Sequence, residues 1–480
     1  MLNILGNSRR VCDGWTRRQV LQAGGAGLLG LTLPKVLAAE ATGTARPARA
    51  RSVIFLFLFG GPSQLETFDL KPDAPSTIRG PSKPIASRTP ELRICEWMPR
   101  LAAMSDKYCV VRTMTHPYND HSTAGHYIQT GHPWHIPIGG GFNATEKDWP
   151  AHGSIVDFLD TRAGGGPGDV PSFVYLPNRL GHMETYSTKL DRPGQYAGWL
   201  GRGYDPLATA IGKRDDKDNP YFRECTDEEL NFQIQGLALG EGLSLDRLGK
   251  RRALVEQFDR ARASAERSGA EVSFDQFRER ALALVSSEKV RRALDIRREP
   301  SAARDRYGRH LFGQSTLLAR RLVEAGTRFV TVAWDAVDGY SWDSHTSSDD
   351  VKKHLVPGLD QALSALLVDL DERGLLDETL VVAVGEMGRT PKRSNDNWGR
   401  GHWSTVFPAV LAGAGVRGGT VYGTTDRDAA YALDHPTSPE DLAATIFDRL
   451  GIDPQLRIAD QQGRPVPLVD GGRVIREIVT

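Results

Sequence analysis

Four candidate ligands of a divalent metal are found at loop positions between residues 342 and 403 of the sequence. They are Asp343, His345, Glu386 and His402. Carboxylate oxygens and imidazole nitrogens are common ligands of divalent metals in proteins. Asp343 and His345 are two residues apart, so in an extended segment their side chains share one face and could bind one ion. The spacing predicts a metal site, with a hydrogen-bonded loop pair as the alternative.

The remaining residues of this segment each have more than one interpretation. Glu386 could bind the ion, orient a histidine ligand by accepting its hydrogen bond, or be a charge at a helix N-terminus. His402, between Gly401 and Trp403, could be a ligand or a loop histidine stacked on an aromatic ring. Arg389 could bind an anionic oxygen through its planar guanidinium during catalysis, or form a structural ion pair.

A second group of reactive side chains lies in residues 119–132. Ser122 is the candidate nucleophile and Thr123 the second choice, because a hydroxyl attacks once a metal or a base has activated it. The alternative for Ser122 is a helix N-cap. His121 and His126 are candidate metal ligands or proton donors. Seven of the twelve histidines of the chain lie between residues 116 and 182, which disfavours a metal-free structural protein.

Six apolar segments predict the strands that position these residues. They cover residues 53–59, 108–114, 172–176, 328–334, 379–384 and 406–412. Residues 379–384 are apolar on both faces, which is typical of a buried parallel strand. The leucines of residues 356–373 follow a helical period. Strands that alternate with helices predict an α/β fold with a doubly wound, mainly parallel sheet. In such sheets ligands bind at the carboxyl ends of the strands.

Composition excludes some classes of protein. The 480 residues include 60 basic and 60 acidic side chains, so no charge excess indicates a nucleic-acid partner. Apart from Cys12, the cysteines are Cys95, Cys109 and Cys225, which show neither metal-binding spacing nor a disulfide framework. One disulfide is compatible with the sequence, without a defined pair. The sequence lacks the GxSxG and Walker motifs of serine hydrolases and NTPases.

The amino terminus has the organisation of an export signal. Arg17 and Arg18 form a twin-arginine pattern, followed by the weakly apolar residues 23–33 and by small residues at 36–39. The apolar segment is shorter than the about 20 residues of a membrane span. We therefore predict a signal peptide over residues 1–39, transport by the twin-arginine translocase, and a periplasmic or secreted protein without a span in the mature chain.

The rest of the chain is predicted to form one large domain. Residues 40–51 have the composition of a disordered spacer. Residues 52–480 contain all six predicted strands. Within them, residues 227–326 are charged and helical in pattern, and we interpret this segment as a helical insertion beside the sheet.

A series of motifs runs through the mature chain: GGPSQLETFDLKP (60–72), ARRLVEAGTRFVTV (319–332), WDSH (342–345), GEMGRTP (385–391), GRGHW (399–403) and AGAGVRGGTVYGTTD (412–426). In these motifs and their order the chain resembles a bacterial exported family labelled domain of unknown function 1501. That family is similar to the alkaline phosphatase and sulfatase superfamily, whose members place divalent metals around a Ser, Thr or modified Cys nucleophile. The segment from Ser122 to His126 also resembles the nucleophile loop of metal-dependent phosphoglycerate mutases.

The resemblance implies a fold, a cofactor and a reaction class. The fold is an alkaline-phosphatase-like α/β core, and the cofactor is one or two zinc, manganese or calcium ions. The reaction is hydrolysis of phosphate or sulfate esters, with a small anionic ester or an envelope polysaccharide as the substrate. Glu66 or Asp69 is the expected bridging carboxylate, although these residues could equally cap a turn. Together with Glu386 they would contribute to a second metal.

The sequence departs from its relatives at several of these positions. Relatives usually carry His and Asp where this chain has Gln64 and Glu66, and Asp where it has Gly401. Met387 replaces a histidine of the superfamily, and a thioether is a poor ligand for hard divalent ions. One of two metal sites is therefore expected to be weakened, reshaped or absent. These departures favour an alternative function, a catalytically degenerate member that serves as a binding or assembly module in the cell envelope.

Overall fold

A computed structural model of the chain describes residues 48–137, 141, 143–163, 170–177, 191–211, 214, 218–234, 287–334 and 342–480. The predicted signal peptide, most of the predicted spacer and residues 235–286 of the predicted helical insertion lie outside these residues. The described end of the spacer contacts the domain, because the backbone N–H groups of Arg49 and Ala50 both donate to the carbonyl of Arg449.

The strands of the described residues form one large sheet and three small ribbons. The strands are β1 (Ser52–Phe57), β2 (Pro84–Ala86), β3 (Arg93–Cys95), β4 (Tyr108–Met114), β5 (Phe173–Leu176), β6 (Leu207–Ala210), β7 (Gln233–Ile234), β8 (Phe329–Ala333), β9 (Thr379–Val384), β10 (Gly388–Arg389), β11 (His402–Trp403), β12 (Phe407–Ala412), β13 (Thr420–Tyr422), β14 (Arg457–Ala459) and β15 (Pro465–Pro467). The large sheet has the order β13-β4-β12-β9-β1-β8-β5-β6-β7. All six predicted strands are present in it.

The α-helices of the described residues flank this sheet. They are α1 (Pro99–Ala102), α2 (His121–Thr130), α3 (His152–Arg162), α4 (Glu288–Leu294), α5 (Ser301–Tyr307), α6 (Leu311–Glu324), α7 (Val356–Glu372) and α8 (Pro439–Arg449). Helix α7 confirms the leucine periodicity of the sequence, and one turn of π-helix, Val351–Leu355, precedes it. Among the described residues, no helix is both long enough and apolar enough to cross a membrane.

The large sheet is mainly parallel, which confirms the predicted α/β class. The strands β9, β1, β8, β5 and β6 are parallel neighbours, whereas β12 lies antiparallel between β9 and β4. Phe57 at the end of β1 is level with Ala333 of β8 and with Val384 of β9. The three strands therefore end at one edge of the sheet. Because β12 runs the other way, its first residue lies at that same edge.

Both faces of the sheet are buried, and this explains the continuous apolar sequence of the central strands. On β1, Ile54 and Leu56 belong to a core cluster with the leucines of α6 and α7. Phe55 and Phe57 point to the opposite cluster, which contains apolar residues of α3 and α8. Replacing a buried phenylalanine of this strand by alanine should cost about 3–5 kcal/mol of stability. The strand ends at Phe57 because Gly60 and Gly61, both with positive φ, reverse the chain.

Candidate metal centre

Four of the predicted site residues meet at the carboxyl edge of the sheet. Ligand atoms of His121, Asp343, His345 and His402 all lie within 4.8 Å of one another. His121 begins α2 after β4, whereas Asp343 and His345 follow β8. His402 lies in the short strand β11 and reaches the same edge because the next strand, β12, is antiparallel. The topology thus brings ligands together from three separate parts of the sequence.

One carboxylate oxygen is the centre of this group. The distances from Asp343 Oδ1 to the Nε2 atoms of His345, His121 and His402 are 3.0, 3.2 and 3.3 Å. The Nε2 atoms of His345 and His402 are 3.0 Å apart. Arg389 also contacts the same oxygen. A carboxylate has about two acceptor positions on each oxygen, so hydrogen bonds alone do not account for all of these contacts.

These contacts suit ligand atoms arranged around a cation. Atoms bound tetrahedrally to zinc at about 2.0–2.1 Å lie about 3.3 Å from one another. Nε2 of His121 lies 3.2 Å from Asp343 Oδ1 without the geometry of a hydrogen bond, so its lone pair can bind a metal. Three imidazoles with one carboxylate favour zinc or a similar transition metal over calcium, which prefers oxygen ligands. The residues therefore fit a divalent metal.

Outer hydrogen bonds orient two of the histidines. The Nδ1 atom of His121 lies 2.5 Å from Glu386 Oε1, and Nδ1 of His402 lies 2.7 Å from the carbonyl oxygen of Asn119. Each Nδ1–H can donate outward, which leaves Nε2 to face the centre. Glu386 also accepts hydrogen bonds from the backbone N–H of Gly60, at 2.9 and 3.1 Å. Glu386 thus has the position of an outer acceptor, one of its three predicted alternatives, and it precedes no helix.

Asn119 is a contributor that the sequence did not single out as a site residue. It acts on His402 through its backbone carbonyl, a group that every residue carries, so its side-chain type gave no signal. Its side chain has a separate function, because Oδ1 accepts a hydrogen bond of 2.8 Å from the backbone N–H of Ser404. The two contacts hold the loop before α2 against the segment that carries His402.

Arg389 is a buried residue that holds Asp343 in position. Its side chain is fully buried, and its Nη2 contacts both Asp343 Oδ1 and the carbonyl of Gly60. Its Nε donates to the carbonyl of Gly61 at 3.1 Å. Gly61 has φ +80°, and a Cβ there would lie 2.7 Å from the carbonyl oxygen of Met387. The structure therefore places Arg389 as a positioning residue and does not expose it to bind a substrate anion.

The electrostatics of the cluster favour a cation. Burial lowers the pKa of His121, but the neighbouring Asp343 and Glu386 carboxylates outweigh it and raise this pKa to about 9. Burial would also raise the pKa of Asp343, yet the three histidines and Arg389 hold it well below its ordinary value. The site thus retains negative charge and attracts a proton or a metal to the histidines. A bound metal would displace that proton.

The structure does not assemble the second metal site from the carboxylates that the sequence offered. Glu66 is fully buried and pairs with the equally buried Arg400 at 3.1 Å. Burial raises the pKa of Glu66, although Arg400 opposes this shift. Asp69 lies 3.0 Å from Lys71 Nζ and accepts a hydrogen bond from the hydroxyl of Thr425. Within the described residues, one group of metal-binding side chains is found, and neither carboxylate belongs to it.

The residues that depart from the relatives are part of the packing. The buried side chain of Gln64 donates to the carbonyls of Arg389 and Ala429, both at 2.9 Å, and accepts from the backbone N–H of Arg389 at 3.1 Å. Met387 is also fully buried. Gln64 thus stabilises the strand that carries Arg389, and neither Gln64 nor Met387 belongs to the metal-binding group.

The candidate nucleophiles lie in the first turn of α2, directly after His121. Asp120 is the N-cap and accepts from the backbone N–H of Thr123 at 2.9 Å, so the interpretation of Ser122 as an N-cap is wrong. Ser122 is 9% exposed, whereas Thr123 is 1% exposed and its hydroxyl has no hydrogen-bond partner among the described residues. Of the two hydroxyls, that of Ser122 is the more accessible.

His126, the third candidate on this helix, has a different environment. It is fully buried, and its Nδ1 lies 2.9 Å from the carbonyl oxygen of His132. Burial lowers the pKa of His126 to about 3. The structure does not bring it into the group that contains His121, and its role in proton transfer stays a prediction.

Comparison with known structures gives weak similarities. The phosphonate monoester hydrolase SpPMH from Silicibacter pomeroyi is 13% identical, with a TM-score of 0.38 over 89% of this chain and 76% of that one. The sulfatase PsFucS1 from Pseudoalteromonas sp. is 12% identical, with a TM-score of 0.38 over 87% and 71%. The lipoteichoic acid synthase LtaP from Listeria monocytogenes is 9% identical, with a TM-score of 0.34 over 88% and 75%. Values this low support no conclusion about activity.

Sequence comparison gives the family. No curated protein matches this chain. A family model described as "Protein of unknown function (DUF1501)" matches residues 50–479, which is nearly the whole of the domain seen in the structure. The motifs that carry this resemblance include the segments that hold Asp343, His345, Glu386 and His402. The chain therefore belongs to the DUF1501 family.

Proposed function

We propose that this protein is an exported, metal-dependent hydrolase of phosphate or sulfate monoesters. The observation that carries the proposal is the convergence of three imidazole nitrogens within 3.3 Å of one oxygen of Asp343. The metal belongs to the zinc class, because three of the four ligands are imidazoles. The predicted twin-arginine leader supports export of a metal-loaded protein, since this route carries folded proteins, often with a cofactor already bound.

Ser122 is the proposed nucleophile. Its oxygen forms a bond to the phosphorus or sulfur atom while the bond to the ester oxygen breaks, and the departing alcohol takes up a proton. Water then cleaves the seryl ester, so one ester and one water give one alcohol and one inorganic anion. When bound, the metal lowers the pKa of a hydroxyl and offsets charge on the transferred group. The position of Ser122 beside His121 at the start of α2 supports this role.

The experiment compares wild-type protein with S122A and T123A. Metal per chain is counted by elemental analysis, and turnover is measured with p-nitrophenyl phosphate and p-nitrophenyl sulfate. We expect S122A to retain its metal but to lose turnover by at least about 1,000-fold, as expected for removal of a nucleophile. T123A should keep most of the activity. Metal-loaded wild-type protein that hydrolyses neither ester, or an S122A variant as active as wild type, would contradict the proposal.

A second candidate function is a binding module for an envelope polysaccharide, and a separate surface favours it. A cleft of about 410 Å³ lies beside the segment that follows β10 and is lined by Lys392, Arg393, Trp403 and Tyr431, among others. Tyr431 is 55% exposed and the nearby Leu433 is 68% exposed. Aromatic and basic side chains of this kind suit an acidic sugar polymer. If binding is the function, Y431A should weaken retention on purified envelope polysaccharide, whereas S122A should not.

A further inference from the structure

The loop between β4 and α2 contacts the segments that carry two of the histidine ligands. His121 lies directly after this loop, and Nδ1 of His402 lies 2.7 Å from the backbone carbonyl oxygen of Asn119 within it. The backbone N–H of His116 also donates to the carbonyl of Ser404 at 3.0 Å. A shift of this loop would therefore move ligands on both sides of the metal-binding group.

The side chain of His116 has a defined tautomer. Its Nδ1 accepts a hydrogen bond of 3.2 Å from the backbone N–H of Tyr118, and its Nε2 lies 2.6 Å from the carbonyl oxygen of Glu386. Because a carbonyl can only accept, Nε2 carries the hydrogen and donates it to Glu386. The ring is only 6% exposed, and burial lowers the pKa of His116 to about 4, so the ring is neutral at pH 7.

We propose that His116 is a positioning residue of the metal centre, which acts through Glu386 on the ligand His121. Glu386 is held at two points, since His116 donates to its backbone carbonyl and the N–H of Gly60 donates to its carboxylate at 2.9 and 3.1 Å. The carboxylate is thereby fixed where Oε1 lies 2.5 Å from Nδ1 of His121. The proposal rests on the proposed function for the bound metal, and it adds a residue that acts on the site without touching a ligand.

The surroundings of the His116 ring allow positioning to be separated from packing. The ring centroid lies 5.3 Å from that of Phe407, edge to face, and 5.6 Å from that of Tyr127. A phenylalanine at this position would keep these aromatic neighbours and lose both hydrogen bonds. A glutamine could donate to the carbonyl of Glu386 with its amide nitrogen and accept from the N–H of Tyr118 with its oxygen.

His132 provides a matched control in the packed region. It is 4% exposed, its Nε2 lies 2.8 Å from the carbonyl oxygen of Leu468, and burial lowers its pKa as it lowers that of His116. Replacing His132 by phenylalanine therefore makes the same chemical change at a histidine outside the metal-binding group. This change should cost stability without altering metal binding.

The test measures zinc affinity and stability separately. Wild-type protein, H116F, H116Q and H132F are loaded with zinc, and the dissociation constant is obtained by competition with a chelator. Urea unfolding of chelator-treated protein gives the stability of each. We expect H116F to bind zinc about tenfold more weakly, the lower end of the loss for an outer partner, and H116Q to recover wild-type affinity. H132F should lose stability but keep its zinc affinity.

Two further variants test whether His116 acts through Glu386. Adding H116F to E386A should cost no further zinc affinity, because no carboxylate is left to position; losses that add would refute this route. H116N keeps an acceptor for the N–H of Tyr118, but its amide nitrogen ends short of the position of Nε2. It should therefore weaken zinc binding as H116F does, and it decides the question if H116F does not fold.

The outcomes separate this proposal from the proposed function. If H116F binds zinc as tightly as wild type, the assignment of His116 is wrong while the hydrolase proposal stands. If H132F weakens zinc binding as much as H116F does, the effect is one of general stability, and the assignment is overturned. If wild type binds zinc but hydrolyses no ester, the proposed function fails, and the zinc affinities still decide the role of His116. Wild-type protein that binds no zinc overturns both.

Discussion

Helix α2 carries two histidines with opposite properties. At its first residue, His121 faces Asp343 and Glu386, and these carboxylates outweigh burial and raise its pKa to about 9. Further along the same helix, His126 is fully buried against the carbonyl of His132, and burial lowers its pKa to about 3. The comparison shows that residue type and sequence neighbourhood do not by themselves place a histidine in the candidate metal site. Carboxylates brought from distant parts of the chain distinguish His121 from His126.

The two histidines also belong to two different regions. Around His121 lies a partly exposed rim of charged and imidazole groups, assembled from the ends of several strands. Around His126 lies a packed region in which the ring of His132 stacks on Trp149 at 3.5 Å. His152, in the same region, is fully buried and also has a pKa lowered by burial to about 3. We therefore expect substitutions in the first region to alter metal binding and those in the second to alter stability.

The largest effect should come from D343N. Asp343 supplies the one oxygen that all three histidines approach, and it is also the partner of the buried Arg389. We expect metal affinity to fall by more than the about 10- to 100-fold that loss of an outer partner costs. Competition with a chelator of known affinity measures it. D349N is the control, since Asp349 is 72% exposed, and it should bind metal as wild type does. If D343N binds metal as tightly as wild type, Asp343 is not a metal ligand.

E386Q should have a smaller effect of the same kind. Glu386 does not face the centre directly but holds Nδ1 of His121 at 2.5 Å. We expect metal affinity to fall about 10- to 100-fold while the fold is kept, since glutamine can still accept from the N–H of Gly60. The same chelator competition applies, with E378Q as a control at a residue that is 46% exposed. A metal affinity equal to that of wild type would show that His121 needs no charged outer acceptor.

The smallest effect is a dependence of stability on pH in the packed region. Because the folded pKa of His152 is lowered to about 3, its contribution is present above the unfolded value near 6.5 and is lost as pH falls. At pH 5 this amounts to about 2 kcal/mol for one histidine. Urea unfolding of chelator-treated protein at pH 7 and pH 5 should show a smaller loss in H152Q than in wild type. The control is H435Q, at a residue that is 51% exposed, which should lose as much stability between pH 7 and pH 5 as wild type does. An equal loss of stability in H152Q and in wild type would refute the assignment of this effect to His152.

Much of the fold could be predicted from the sequence because it depends on local pattern. The apolar segments of β1 and β9 are long, continuous and bounded by breakers, which specifies buried parallel strands. The leucine period of α7 is equally local. The same patterns indicated the edge at which the ligands lie. They could not indicate that β12 is antiparallel, because its sequence is that of any buried strand.

The sequence by itself determined which residue types stand after the strands, and with them the chemistry available at the edge. His121, Asp343, His345 and His402 were all candidates on this basis. Only the tertiary structure decided that Asp343 is the shared carboxylate while Glu66 pairs with Arg400. The tertiary structure also decided that Arg389 is buried and holds Asp343 in position. The reason is physical. A carboxylate can bind a metal or a buried guanidinium, and a guanidinium can bind a substrate anion or a buried carboxylate. The partner that long-range folding places beside each group selects between these possibilities.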